Sequence, residues 1–257
     1  MNEQLKAVLL EAIQQAGDYI EKHFRTNFAI HHKTGINNLV TEVDQASEQL
    51  IRKIINQYFP DHSIIGEEYP TKNTESEYHW IIDPIDGTTN YAHGIPLCCV
   101  SIGIMYGENM LMGAVYNPFL KELFFAEKGK GAFLNDQPIH VSENADFRTA
   151  FLVTGFPYKA DAEYIASTFV KLVKKGLPIR RLGSAALDLC WVACGRFDGF
   201  WEYNLNAWDI AAGYLIVEEA GGKVSDFQSD SYSVWDKETL ATNGILHESI
   251  RKEILDN

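Results

Sequence analysis

Ten residues, Ile81-Ile82-Asp83-Pro84-Ile85-Asp86-Gly87-Thr88-Thr89-Asn90, constrain this chain more than any other stretch. A short apolar run that reads as a strand delivers two carboxylates three positions apart. Pro84 stiffens the backbone, and Gly87 opens dihedral angles closed to other residues. A turn of this kind can aim both carboxylates at one point. Two hydroxyls and an amide follow at once. Such a set of oxygens suits one or more divalent cations beside a phosphate-sized anion.

A second acidic strand end precedes it, Ile64-Ile65-Gly66-Glu67-Glu68. If the two strands are neighbours, Glu67, Asp83 and Asp86 converge at one end of a sheet. Three carboxylates held close are electrostatically costly without a cation, which is the strongest physical indication of a metal site.

The rest of the chain supplies a scaffold. Its 257 residues suit one large domain or two tightly packed subdomains, and a hydrophobic content of 46% is ample for a core. No apolar run of 18 residues occurs, so no membrane helix is expected. Met1-Asn2-Glu3-Gln4 lacks the basic region of a signal peptide, and the expected location is the cytoplasm. A net charge of -13 argues against nucleic acid as the main partner. It does not exclude an anionic substrate, because bound cations reverse the sign of a pocket locally. Cys98 and Cys99 fall in an apolar run and point to opposite faces, whereas Cys190 and Cys194 share a helix face. Buried free thiols are expected rather than a zinc site, since the histidine partners and loop spacing are missing.

Periodicity predicts a helix over residues 2–25, a loop or short hairpin over 26–38, and a second helix that follows Leu39–Asp44 and stops at Pro60. Adjacent His31 and His32 read as surface residues. Asp44 reads as a helix cap or a site carboxylate. Residues 100 to 141 read as antiparallel strands joined by turns, and Gly129-Lys130-Gly131 as a tight turn rather than a phosphate cradle. We place a soft boundary near residue 143. Residues 1–143 form an N-terminal α+β subdomain with two helices, an antiparallel sheet and the acidic turn; residues 144–257 form a C-terminal α/β subdomain. Beyond the boundary, strands at 151–154, 179–182, 200–203, 223–226 and 240–242 alternate with helices at 162–175, 185–193, 208–220 and 245–255. The two subdomains together make one catalytic unit.

Five stretches now stand together: Gly66-Glu67-Glu68, the segment Asp83 to Asn90, Gly183-Ser184-Ala185-Ala186, Phe197-Asp198-Gly199, and Trp208-Asp209-Ile210-Ala211-Ala212-Gly213. In this order and spacing the chain resembles the inositol monophosphatase family, the Mg²⁺-dependent, lithium-sensitive phosphatases, from about Leu5 to Ile254. The resemblance implies a layered αβαβα sandwich of the sugar phosphatase type and a homodimer. It implies that Glu67, Asp83 and the Ile85 carbonyl hold one Mg²⁺, that Asp83, Asp86 and Asp209 hold a second, and that a weaker third sits near Glu67. Thr88 and Asp44 would orient and deprotonate the attacking water, with Glu67 counted beside them among the catalytic residues. Asp86, Gly87, Thr88, Ala185, Glu202 and Asp209 would contact substrate. At a helix start, Asp209 would also be favoured as a plain cap.

The chain departs from the family in places. Asn38 replaces a usual acidic residue that helps hold the third ion. Lys33 stands where a basic residue is common, Gly155-Phe156-Pro157-Tyr158 differs at the leaving-group side, and Arg180 or Arg181 could meet a second phosphate. The implied activity is hydrolysis of inositol monophosphate or a related small sugar phosphate by metal-activated water. The same chemistry on fructose-1,6-bisphosphate or the 2′-phosphate of NADP is the alternative. The compact Glu68–Tyr78 segment favours a small substrate. A phosphatase with an aspartyl-phosphate intermediate needs Asp-x-Asp, which the Asp-x-x-Asp spacing and Pro84 oppose. A non-catalytic metal-bound scaffold or regulatory protein would keep the acidic turn but has no need of Thr88 and Asp209.

Overall fold

The computed structural model describes residues 2–32, 39–156 and 163–256. Helix α1 (Asn2–His23) leads to a two-stranded ribbon of β1 (Ile30–His32) and β2 (Leu39–Thr41), then α2 (Glu42–Tyr58). Next come β3 (Ser63–Gly66), β4 (Tyr78–Asp86), the short α3 (Thr88–Ala92), and β5 (Cys99–Tyr106) to β6 (Asn109–Asn117). β7 (Glu122–Glu127), β8 (Ala132–Leu134) and β9 (Gln137–Ile139) complete a seven-stranded sheet, ordered β3-β4-β5-β6-β7-β8-β9. The chain continues through β10 (Leu152–Thr154), α4 (Glu163–Lys174), β11 (Ile179–Arg180), α5 (Ala185–Ala193), β12 (Gly199–Tyr203) and α6 (Ala207–Glu219). It closes with β13 (Lys223–Ser225), β14 (Glu238–Thr242) and α7 (His247–Leu255). The second sheet runs β11-β10-β12-β14-β13.

Five layers follow from which faces are apolar. Helices α1 and α2 bury Leu5, Leu9, Ile13, Ile51 and Ile55 against one face of the large sheet. Helices α5 and α6 are buried nearly all round, as a layer between two sheets must be. Leu172 of α4 and Ile250 of α7 pack on the outer side of the second sheet. The αβαβα sandwich is therefore present. The second sheet is mixed rather than purely parallel, because β14 pairs antiparallel with both β12 and β13. Cys98 and Cys99 do serve opposite cores, and all four thiols are free, with Cys194 only partly buried.

Three details place the site. β3 runs parallel to β4, with Gly66 paired to Ile82, so Glu67 emerges level with Asp83. On β4, Asp83 pairs with Ser101 and Asp86 with Cys99: three residues on one strand span two on the other. The acidic segment is thus the bulged end of a strand, not a turn beyond it. In a regular strand residues three apart face opposite ways; the extra residue of the bulge brings both aspartates to one side. Finally, α6 lies hard against the sheet. A Cβ at Gly113 would sit 2.8 Å from the carbonyl oxygen of Ala212, so glycine permits the approach that brings the N-terminus of α6 over β4.

Candidate active site

The carboxylates of Asp83, Asp86 and Asp209 come together with ligand oxygens all within 4.8 Å of one another. They form the floor of a cleft of about 540 Å³, whose wall includes Glu67, Gly87, Thr88, Ala185 and Glu202. Each floor residue is held by backbone groups. Asp83 accepts from the Ile85 amide at 3.0 Å. Asp86 accepts from the Ser184 hydroxyl and the Ala186 amide, both at 2.7 Å, at the start of α5. Asp209 accepts from the Asn206 amide at 2.7 Å, so its capping contact is real and coexists with its place in the cluster.

Burial dominates the electrostatics of the floor. It raises the Asp86 carboxyl to about 6, and Glu67 adds to the rise. Burial first, then Glu67 and Asp86, drives Asp209 well above the carboxylate range. Crowded carboxylates of this kind favour either protons or a cation. The donor set is all oxygen, with no thiolate or imidazole, and fits a hard divalent ion such as Mg²⁺. A second trio, Asp230, His247 and Glu248, also lies close, but both ring nitrogens of His247 already meet Ser225 and Thr242 hydroxyls at 2.9 Å.

Beside the floor, Gly87 adopts φ +90° and starts α3. A Cβ there would be 2.9 Å from the Leu97 carbonyl oxygen, so glycine is required on both counts. Thr88 follows, its hydroxyl 3.0 Å from Asp44 Oδ1 and 3.0 Å from the Ile85 carbonyl oxygen. Asp44 makes the cap contact and also stands next to the cleft. It closes a capping box with Thr41, the N-cap of α2, and it faces Thr88. Burial raises it to about 6, against the opposing hydrogen bonds from Thr41.

The chain belongs to the inositol monophosphatase family. The family model, described as "Inositol monophosphatase family", matches residues 1–257. An inositol-1-monophosphatase of Synechocystis sp. is 41% identical over 252 residues, covering 96% of this chain and 87% of that protein. The extragenic suppressor protein suhB of Bartonella henselae is 33% identical, with a TM-score of 0.94 and 99% of both chains covered. The inositol monophosphatase of Anabaena (Nostoc) sp. is 39% identical, with a TM-score of 0.87 over 100% of this chain and 97% of the other. The protein is accordingly a phosphatase of a metal-dependent family.

Every site residue singled out from the sequence lies at or next to this cleft: Glu67, Asp83, Ile85, Asp86, Gly87, Thr88, Ala185, Glu202 and Asp209 line it, and Asp44 supports it through Thr88. Arg181 lines the cleft, whereas Arg180 is exposed over the Phe151 ring. Lys33, Asn38, Pro157 and Tyr158 lie outside the described residues. Sequence reasoning missed four supports. Ser184 was noticed only as part of a motif. Asp188, in the first turn of α5, is buried, and one of its oxygens has no hydrogen-bond partner among the described residues. Glu48, in the polar-looking run Ser47-Glu48-Gln49, is fully buried: it pairs with Arg52 at 2.7 Å and accepts from the Glu68 amide at 2.7 Å. Gly155, read from the sequence only as part of a departure at the leaving-group side, lies directly against the Glu202 carboxylate.

Proposed function

We propose that this phosphatase hydrolyses the monophosphate of a small polyol, inositol monophosphate or a close sugar relative, with Mg²⁺. The observation that carries the reading is the convergence of Asp83, Asp86 and Asp209 beside the Gly87–Thr88 segment. Glu67, Asp83 and the Ile85 carbonyl would hold one ion and Asp83, Asp86 and Asp209 another, with room for a third near Glu67. Bound divalent ions supply Lewis acidity at the phosphoryl oxygens and acidify nearby water.

The chain's own groups do the rest. The Gly87 and Thr88 amides bind phosphate oxygens. Thr88 accepts a proton from the attacking water as its own hydroxyl proton passes to Asp44 Oδ1, 3.0 Å away. With Asp44 raised to about 6, the acceptor is matched to near-neutral pH. Ala185 keeps the wall small, and Glu202 faces the hydroxyls of the leaving group. Residues on both sides of position 143 are needed, which supports reading the two subdomains as one catalytic unit. Cytoplasmic residence belongs to this proposal, as do a homodimer and lithium inhibition, the two that the family resemblance implies.

The test is phosphate release from inositol-1-phosphate, fructose-1,6-bisphosphate and NADP with and without Mg²⁺. Inositol-1-phosphate should be preferred, and Asp83→Asn should lower kcat/KM by about 10³-fold or more, the scale of losing a charge-stabilising group. Thr88→Ala should cost about 10²-fold in kcat. Preference for NADP would overturn the substrate, and full activity of Asp83→Asn would overturn the mechanism.

A further inference from the structure

Gly155 directly follows β10, which pairs with β12, the strand that carries Glu202. It is buried and lines the cleft. A Cβ built on it would stand 2.0 Å from Glu202 Oε2 and 2.2 Å from both Cδ and Oε1. All three atoms of the carboxylate therefore lie flat over the glycine, in space that any other residue would fill. Its φ is not in the left-handed region, so glycine is not demanded by the backbone. What demands it is the carboxylate.

The surroundings of Glu202 do not otherwise favour a charge there. Burial raises it to about 8 and Asp86 adds to the rise, while Arg181, which lines the same cleft, opposes it. Asp188, buried behind the wall, is another acidic neighbour of Glu202. A side chain so placed leaves if its seat is taken, since the far end of a glutamate is free to swing.

We propose that Gly155 determines specificity: the absence of its side chain seats the Glu202 carboxylate at the cleft wall, where it reads the hydroxyls of the leaving group. This rests on the polyol reading given under Proposed function. Gly155 is a positioning residue, acting only through Glu202.

The experiment compares inositol-1-phosphate with phenyl phosphate, whose leaving group carries no further hydroxyl. Gly155→Ala should lower the ratio of kcat/KM for the two esters about ten-fold, the scale of one hydrogen bond, mainly through KM for the polyol ester. In a Glu202→Ala background the same change should do nothing further to the ratio. Should Gly155→Ala alone fold poorly, adding Glu202→Ala removes the clash and should restore the unfolding midpoint. An unchanged ratio in Gly155→Ala, an equal loss in the Glu202→Ala background, or no recovery of the midpoint would overturn the proposal. If the unaltered enzyme shows no preference for the polyol ester, the polyol reading itself fails and this role falls with it.

Discussion

Two carboxylates in this enzyme lie against glycines, and they are used in opposite ways. Glu48 reaches from α2 into the end of β3, where a Cβ on Gly66 would sit 2.1 Å from its Oε1. Glu202 lies over Gly155 in the same manner. Glu48, however, is locked. Arg52 neutralises it, the Glu68 amide donates to it, and Arg52 also reaches the Tyr69 carbonyl oxygen at 3.2 Å. That clip fixes the chain on either side of Glu67. Glu202 instead opens on the cleft, with acidic neighbours and with Arg181 lining the same cleft. The same packing device builds a frame in one place and a probe in the other. What separates them is whether the charge is neutralised by the protein itself.

Breaking the frame should cost most. Glu48→Ala strands the largely buried Arg52 charge and the Glu68 amide, and should destabilise by about 3–5 kcal/mol. In a chain of this size that lowers the unfolding midpoint by about 10 °C, measurable by thermal denaturation. Mg²⁺ should next show the difference between a site waiting for charge and one that has it. At about a hundred times its dissociation constant, a ligand of the folded state adds about 2.7 kcal/mol. The midpoint should rise by several degrees on adding Mg²⁺ and fall back with a chelator, and Asp209→Asn should abolish the response. Glu48→Gln should keep much of it, since the amide can still accept from Glu68.

His247 offers a third, separable effect. Burial lowers its pKa to about 4, helped by Lys223 and Arg251 and opposed by Glu248 and Asp230. Unfolded, it titrates near 6.5. Below that value the unfolded chain binds more protons than the folded one, so stability should fall as pH drops from about 6.5 to about 4, by about 2 kcal/mol. Denaturant unfolding across that range, repeated with His247→Gln, isolates the histidine's share; an unchanged slope in the variant would refute it. The smallest effect distinguishes the two glycines. Gly66→Ala should destabilise by about 1–3 kcal/mol, because Glu48 cannot leave without breaking its clip. Gly155→Ala should cost under about 1 kcal/mol, because Glu202 can swing into the cleft. Equal costs would mean that the two seats are alike after all.

The sequence made the layers and most site residues legible for physical reasons. Helical periodicity in α1 and α2 and the alternation of elements after residue 150 are local signals. The acidic segment, Glu67 and Asp209 carry chemistry in their residue types. What stayed hidden depended on register or on partners far along the chain. Asp83-Pro84-Ile85-Asp86 reads as a turn because nothing local reveals that two residues of β5 oppose three of β4. Glu48 and Asp188 look like helix-surface carboxylates until the sheet end and α5 are packed around them. Gly155 has no local signature at all, since its reason for being glycine is Glu202, on another strand. Even Asp44, ambiguous between cap and site, caps α2 with one oxygen and meets the Thr88 hydroxyl with the other.

The α6 contact with the large sheet bears on how the molecule comes into being. Asp83 and Asp86 leave the ribosome more than a hundred residues before Asp209. Until α6 docks against Gly113, the nascent chain carries the acidic cluster without Asp209. Binding of the ion that Asp209 would share with Asp83 and Asp86, and with it turnover, should therefore begin only after the second half of the chain has folded onto the first. An N-terminal fragment released early would hold its ion weakly and leave phosphate esters intact, so completion of the fold acts as the licence for hydrolysis.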